Sequence, residues 1–356
     1  GLATIADLVP LEGCNRPLVR FGLRALGRTG NVGLRALLEV CELIDPALPA
    51  SEGPPIASGR VGFVLAPRIN AAGRVGETAD ALQLLLTEDR EEALRLARLL
   101  DDLNRARREE DRRTLDEALA QLEATYDPAR DHGVVLAGEG WHPGVIGIVA
   151  SRVVERIHRP TILIALDGER GRGSARSIPG FHLHDALVTL ADRLGRFGGH
   201  AQAAGLEIER DRLRDLREGF NAVARARLEG RDLRPRTRID LELDAASATL
   251  ELADRAQWLG PHGIGNPRPV FLSRGVRVAE ARELRGGHLK VGVAVGRARL
   301  DGIGFGLAER VDTAKLAGSD VDLVFHLTVN EWKGRRSPQM TLLDIRPSGE
   351  EIEREG

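Results

Sequence analysis

The sequence predicts a multidomain α/β protein that ends in an all-β module, and three observations carry that prediction. Gly133-Val134-Val135-Leu136-Ala137, a helical pattern over residues 144–157 and Thr161-Ile162-Leu163-Ile164-Ala165-Leu166 place strand, helix and strand in succession, an α/β unit. Upstream, residues 78–123 change to charge-dense helix. Downstream of residue 236, short alternating runs recur at residues 239–243, 276–279, 289–295, 300–306, 321–329 and 339–345. Such runs between turn residues suit a small β-barrel of the OB type.

Taken in order, residues 18–26 carry apolar positions at helical spacing, and residues 34–44 read as a second helix. Prolines break the pattern over residues 46–58, and residues 63–74 read as a loop of small residues with Arg68, Asn70 and Arg74. From Thr78 a leucine stripe (Leu82, Leu85, Leu96, Leu100, Leu103) runs along one helix among Glu and Arg. The part after Asp89 spans about 50 Å at 1.5 Å per residue, which fits a strut between domains. Tyr126-Asp127-Pro128 stops it. Ser174-Ala175-Arg176-Ser177 reads as a loop after the second strand, residues 183–194 and 213–228 as helices, and residues 349–356 as a charged, disordered tail.

Composition narrows the function classes. With 356 residues, 42% hydrophobic and 29% charged, the chain has room for two or three cores of ordinary globular type. No apolar run approaches the roughly 20 residues of a membrane helix, and no signal-peptide layout opens the chain, so a cytoplasmic protein is expected. Cys14 and Cys41 lack metal or disulfide spacing and read as small core residues. A formal charge of −2 gives no overall basic character, so any anion recognition rests on local arginines; lysine occurs only at 290, 315 and 333. The opening Gly1-Leu2-Ala3 and the single Met340 point to a piece whose natural N-terminus has been removed.

Several residues suit anion or metal chemistry. Gly198-Gly199-His200-Ala201-Gln202-Ala203-Ala204-Gly205 sets an imidazole among residues too small to shield it, either a tight strand-to-helix turn or a site where ligand meets backbone. Ser174 and Arg176 can converge on one anion. Trp141-His142-Pro143-Gly144 opens a helix whose N–H groups face outward. Asp7, within an apolar run, is a helix cap or a metal ligand. His182 and His184 lack a third ligand at metal spacing. Trp258, Phe271, Phe305, Phe325 and Trp332 read mostly as core, with Trp332-Lys333-Gly334-Arg335-Arg336, in a turn, as the exposed strand contact.

Together, the blocks around Asp7, Ala66-Pro67-Arg68-Ile69-Asn70-Ala71-Ala72-Gly73-Arg74, Gly140 to Gly147, Ser174 to Ser177, Gly198 to Gly205 and Gly263-Ile264-Gly265-Asn266-Pro267-Arg268-Pro269-Val270-Phe271 closely resemble the single-strand-specific 5′→3′ exonucleases of the DHH/DHHA1 phosphoesterase superfamily. The resemblance implies the C-terminal part of an α/β DHH catalytic domain (1–77), a connecting helix (78–128), an α/β DHHA1 domain (129–232), an OB-type barrel that grips single strands (233–348) and a tail (349–356). It implies metal-dependent release of 5′-mononucleotides in DNA repair and recombination, on Mn²⁺ or Mg²⁺ in a two-metal site, with Asp7 as catalytic metal ligand and His200 catalytic. Ser174, Arg176, Gly199 and His200 would hold the 5′-phosphate end, faced by Asn70 and Arg74, with Trp332, Lys333 and Arg335 on the strand. The implied partners are single-stranded DNA with a 5′-phosphate, a single-stranded-DNA-binding protein and a RecQ-type helicase, for a nucleoid-associated bacterial monomer without membrane contact. No Asp-His-His triplet or Asp-x-Asp-Gly occurs, so this polypeptide alone is expected to be inactive. The alternatives are a phosphodiesterase for short oligonucleotides or cyclic dinucleotides, and a non-catalytic single-strand-binding module.

Overall fold

The structure, a computed structural model, describes residues 1–296 and 298–349; Arg297 and the predicted tail from 350 lie outside the described residues. In chain order the helices are α1 (Leu2–Ala6), α2 (Asn15–Gly27), α3 (Val32–Val40), α4 (Ser58–Arg60), α5 (Ala66–Val75), α6 (Thr78–Leu86), α7 (Arg90–Thr125), α8 (Ile146–Ile157), α9 (Leu183–Val188), α10 (Leu213–Leu228), α11 (Leu250–Gln257) and α12 (Thr313–Leu316). The strands are β1 (Val134–Glu139), β2 (Thr161–Asp167), β3 (Arg170–Arg176), β4 (Phe197–Gly199), β5 (Ala203–Glu209), β6 (Leu241–Glu242), β7 (Phe271–Leu284), β8 (His288–Val295), β9 (Ala298–Gly304), β10 (Asp320–Trp332) and β11 (Arg335–Pro347). Thr29–Gly53 and Phe63–Arg236 form one compact unit; Gly1–Arg28, Pro54–Gly62 and the chain from Thr237 form the other.

The first unit is built on a sheet of order β1-β2-β3-β5-β4, in which β1 and β2 are parallel and the later neighbours antiparallel. Alternation along β2 fills both faces. Ile162 and Ile164 pack with Ala175, Leu206 and Phe220. Leu163 and Ala165 pack with Val149 of α8 and with Ala118 and Leu122 of α7.

Helix α7 runs 36 residues, about 54 Å. Its first half packs on α3, α5 and α6 and its second half on α8 and β1. Asp89 caps it by accepting from the Glu92 N–H, so the single helix expected from Thr78 is two, broken where Thr87 and Asp89 are extended. Two further expectations are corrected. Residues 66–75 are helix, not loop: Pro67 sits in the first turn, where its missing N–H costs nothing, and Ala66, Ala71 and Ala72 are buried. Ser174 and Arg176 lie within β3 rather than in a loop after it.

The second unit closes on itself. Strands follow β10-β11-β9-β8-β7-β6, and β10 pairs back onto β7, so five strands form a barrel with β6 alongside. Its interior holds Val278, Leu289, Val291, Val293, Leu323, Phe325 and Met340. Cys41 is buried, but Cys14 is exposed rather than core. Of the rings read mostly as core, Phe271 and Phe325 are buried but Trp258 and Phe305 are exposed; Trp332, read as the exposed contact, is exposed. Aromatics are few here, and beside Phe271 and Phe325 the aliphatic strand residues fill the small barrel.

Candidate functional site

Strand β3 is buried on its Gly171, Gly173 and Ala175 face, which leaves Ser174 and Arg176, two residues apart, on the face that meets α8. Arg176 Nη1 donates to Ser174 Oγ (3.1 Å) and to the Ala175 carbonyl (2.8 Å). Both side chains abut the first turn of α8, where a Cβ on Gly147 would stand 2.8 Å from Arg176 Nη2 and 2.9 Å from Ser174 Oγ. No side chain caps α8, so its positive end opens toward this guanidinium and hydroxyl.

The segment leading into α8 is held from several sides. Trp141 is buried and donates to Glu117 Oε2 on α7 (2.6 Å), Arg113 Nη2 donates to the Gly140 carbonyl (2.8 Å), and the Gly144 N–H donates to His142 Nδ1 (3.0 Å). From α5, Arg74 Nη1 donates to the Gly144 carbonyl (3.0 Å). Asn70 sits one turn earlier, exposed. Burial, and then the nearby Arg74 charge, push the Arg176 guanidinium below its ordinary value. Neither Arg74 nor Arg176 has a carboxylate partner among the described residues. A half-buried cation without a counter-ion is costly, and an anion bound here would relieve that cost.

Gly199 and His200 belong to the same end of the sheet. The glycine-rich segment is a hairpin, not a strand-to-helix turn: β4 pairs with β5, and the His200 N–H donates to the Ala203 carbonyl (2.8 Å). Ala203 in turn pairs with Arg176 on β3. The backbones of His200, Ala203 and Arg176 thus lie in a row across the sheet end, about 10 Å from end to end in strand spacing. Gly199 is required: its φ is +146°, and a Cβ would lie 2.4 Å from the Ala203 carbonyl oxygen.

One residue of this neighbourhood escaped the sequence reading. Arg107 of α7 is half-buried near Arg74 and Arg152, donates to Asn104 Oδ1 (3.1 Å), and is pushed below its ordinary value by burial, against the opposing pull of Asp111. Asp111 is itself buried and pairs with Arg152 (3.0 Å). The available signal was Asn104, Asp111 and Thr114, polar residues on the buried face of a leucine-striped helix.

The remaining candidates lie elsewhere. Asp7 belongs to the other compact unit, where it is the C-cap of α1 and exposed; it neither starts a helix nor sits buried in the apolar run. His182 caps α9, accepting from the Asp185 N–H. Among the described residues no group of three or more His, Cys, Asp or Glu could hold a metal ion. In the barrel unit, Lys333 and Gly334 both have positive φ (49° and 74°), a tight turn joining β10 to β11. This turn carries the exposed Trp332 beside Arg335, while Arg336 pairs with Asp254 of α11.

Comparison with known proteins agrees with this architecture. Residues 131–226 match the DHHA1 domain and residues 239–344 the RecJ OB domain. The single-stranded-DNA-specific exonuclease RecJ of Bacillus subtilis is 35% identical over 96% of this chain and 43% of its own length; that of Dickeya dadantii is 39% identical over 97% and 60%. The chain thus spans about half the length of the curated relatives it matches. The crystal structure of Thermus thermophilus RecJ in complex with Mg²⁺ superposes with a TM-score of 0.79 at 33% identity, over 98% of this chain and 52% of that one. The chain thus carries a DHHA1 domain followed by a RecJ OB domain, and over nearly its whole length it is similar to RecJ exonucleases.

Proposed function

We propose that this chain supplies strand-end recognition and strand grip to a single-stranded-DNA-specific 5′→3′ exonuclease. The observation that carries the reading is the unpaired, half-buried Arg176 clamped between Ser174 and the head of α8. Guanidinium, hydroxyl and helix N–H groups converge as a terminal phosphate requires, with three oxygens to satisfy and up to two charges to neutralise. Arg74 and Asn70 add a second bank of donors, and His200 stands two strands away, where the next sugar-phosphate unit would run. The barrel, with Trp332, Lys333 and Arg335 at the β10–β11 turn, holds the strand beyond, by stacking and by charge. Such a grip favours long single strands over cyclic dinucleotides.

Structures of relatives hold Mg²⁺ or Mn²⁺. Among the described residues no group forms a metal site on its own, and Asp7 would contribute one carboxylate to a centre completed by other residues of a longer protein. The same reading extends to a DHH-domain remainder over 1–77, to release of 5′-mononucleotides in repair and recombination, and to cooperation with a single-stranded-DNA-binding protein and a helicase that exposes 5′ ends. No helix among the described residues is long and apolar enough to cross a membrane.

The test compares 5′-phosphorylated and 5′-hydroxyl single strands on the full-length protein and its Arg176→Ala variant. Loss of a charge-assisted phosphate contact is expected to cost the phosphorylated end about 10- to 100-fold in affinity and the hydroxyl end little. An unchanged preference for the phosphorylated end refutes the assignment.

A further inference from the structure

A second basic cavity lies wholly inside the barrel unit, and the strand-end reading does not use it. It has a volume of about 450 Å³ and is framed by α2, the segment before α4, the loop after α11 and strand β10. That volume falls within the range of ordinary small-molecule sites, roughly 300–1,000 Å³. Arg20 and Arg24, one turn apart on α2, and Arg268 stand on its wall, and none of the residues lining it is acidic. The chain as a whole carries 53 acidic residues against 51 basic ones, so a wall with three guanidiniums and no carboxylate is a local departure.

None of the three arginines makes an ion pair among the described residues; Arg24 only stacks over the Phe21 ring, 5.8 Å from its centroid. Like charges one turn apart repel, and nothing of opposite sign offsets them. The floor is apolar: Leu23, Ile56 and Phe271 are buried. Two imidazoles complete the wall. His326 Nδ1 lies 2.8 Å from the Pro269 carbonyl oxygen, which fixes that ring, and the backbone carbonyl of His262 accepts from Ser58 Oγ at 3.3 Å.

We propose that this cavity binds one nucleotide, the phosphate on Arg20, Arg24 and Arg268 and the base on the apolar floor. An open hollow of this size takes a single flat ring with its attached phosphate, whereas an acidic peptide would need an extended groove. The same chemistry is offered by a free mononucleotide and by one unit of a longer strand. The site is independent of the Arg176 cleft, which lies in the other compact unit.

The experiment titrates the 356-residue chain, carrying Arg176→Ala to silence the cleft, with deoxyadenosine 5′-monophosphate, with a single-stranded oligonucleotide and with inorganic phosphate. Saturable binding of the mononucleotide, weakened at least about tenfold by Arg20→Glu with Arg268→Glu and largely kept by Arg268→Lys, is the expected result. Binding of the oligonucleotide alone, with the same sensitivity to the substitutions, supports the site as a strand subsite. Nucleotide binding indifferent to the charge reversals overturns the proposal, and so does inorganic phosphate binding as tightly as the mononucleotide. Should the double reversal fail to fold, Arg20→Gln and Arg268→Gln, each at an exposed position, carry the same comparison. Because the cleft is disabled throughout, a negative result here leaves the strand-end reading standing, and a failure of Arg176→Ala on phosphorylated ends leaves this one standing.

Discussion

The cleft at the head of α8 and the turn between β10 and β11 both present arginine beside a nucleic-acid-compatible surface, yet they hold their charge in opposite ways. Arg176 is half-buried, bonded to its own strand and pressed against a helix terminus. Trp332, Lys333 and Arg335 stand in solvent on a tight turn. A desolvated charge with fixed donors is selective, because only an anion of the right shape replaces the lost water, and salt screens it weakly. An exposed cation on a turn attracts any phosphate, and its contribution fades as salt rises. On the proposed reading, end selection belongs to the first and grip to the second.

The largest expected effect breaks the selective half: Arg176→Lys in the full-length protein should restore little of the end preference lost in Arg176→Ala, because a point charge does not reproduce the guanidinium fork. Competition between phosphorylated and hydroxyl ends measures it. Next comes the grip. Trp332→Ala is expected to weaken long single strands by about 1–3 kcal/mol whichever end they carry, read by fluorescence anisotropy. Each of Lys333→Ala and Arg335→Ala should flatten the log–log salt dependence of strand binding by about 0.7 if it removes one phosphate contact. A smaller effect sharpens the contrast: Gly147→Ala intrudes only on the ends of Arg176 and Ser174, so it should lower end preference while leaving thermal stability nearly unchanged. A loss of stability comparable with that of a core substitution would place this contact in packing instead.

Sequence pattern made the barrel strands and the β1–α8–β2 unit legible, because alternation and apolar runs report burial directly. It misread two places for identifiable reasons. Small residues at 66–75 look like a loop, but alanines let α5 lie close to α7, and the proline occupies the one turn where a helix tolerates it. Ser174 and Arg176 look like a loop because Gly168, Gly171 and Gly173 precede them, whereas Gly171 and Gly173 make room on the buried side for Ile164, Leu206 and Ile208. Within the cleft, the motif residues were visible one by one, but Arg107 was not. In a helix crowded with arginine, nothing local separates the half-buried one from its exposed neighbours; only the packing of α7 against its surroundings does that.

Burial acts on histidine differently from arginine, and that gives the subtlest test. Arg176 keeps its charge at any accessible pH even though burial lowers its affinity for the proton. His262, in the barrel unit, is pushed below its ordinary value chiefly by burial and then by Arg268, so it stays neutral in the folded state where the unfolded chain would protonate it. With its folded value depressed, the unfolded state binds more protons below about pH 6.5, and stability therefore falls as pH drops through that value. The barrel unit should lose thermal stability between pH 7.5 and 5.5, and His262→Gln should flatten that slope while leaving the pH response of phosphate-end binding at Arg176 as it was. A slope that persists in His262→Gln assigns the proton uptake to other groups, and it would also mean that the wall of the basic cavity tolerates a charged imidazole beside Arg268.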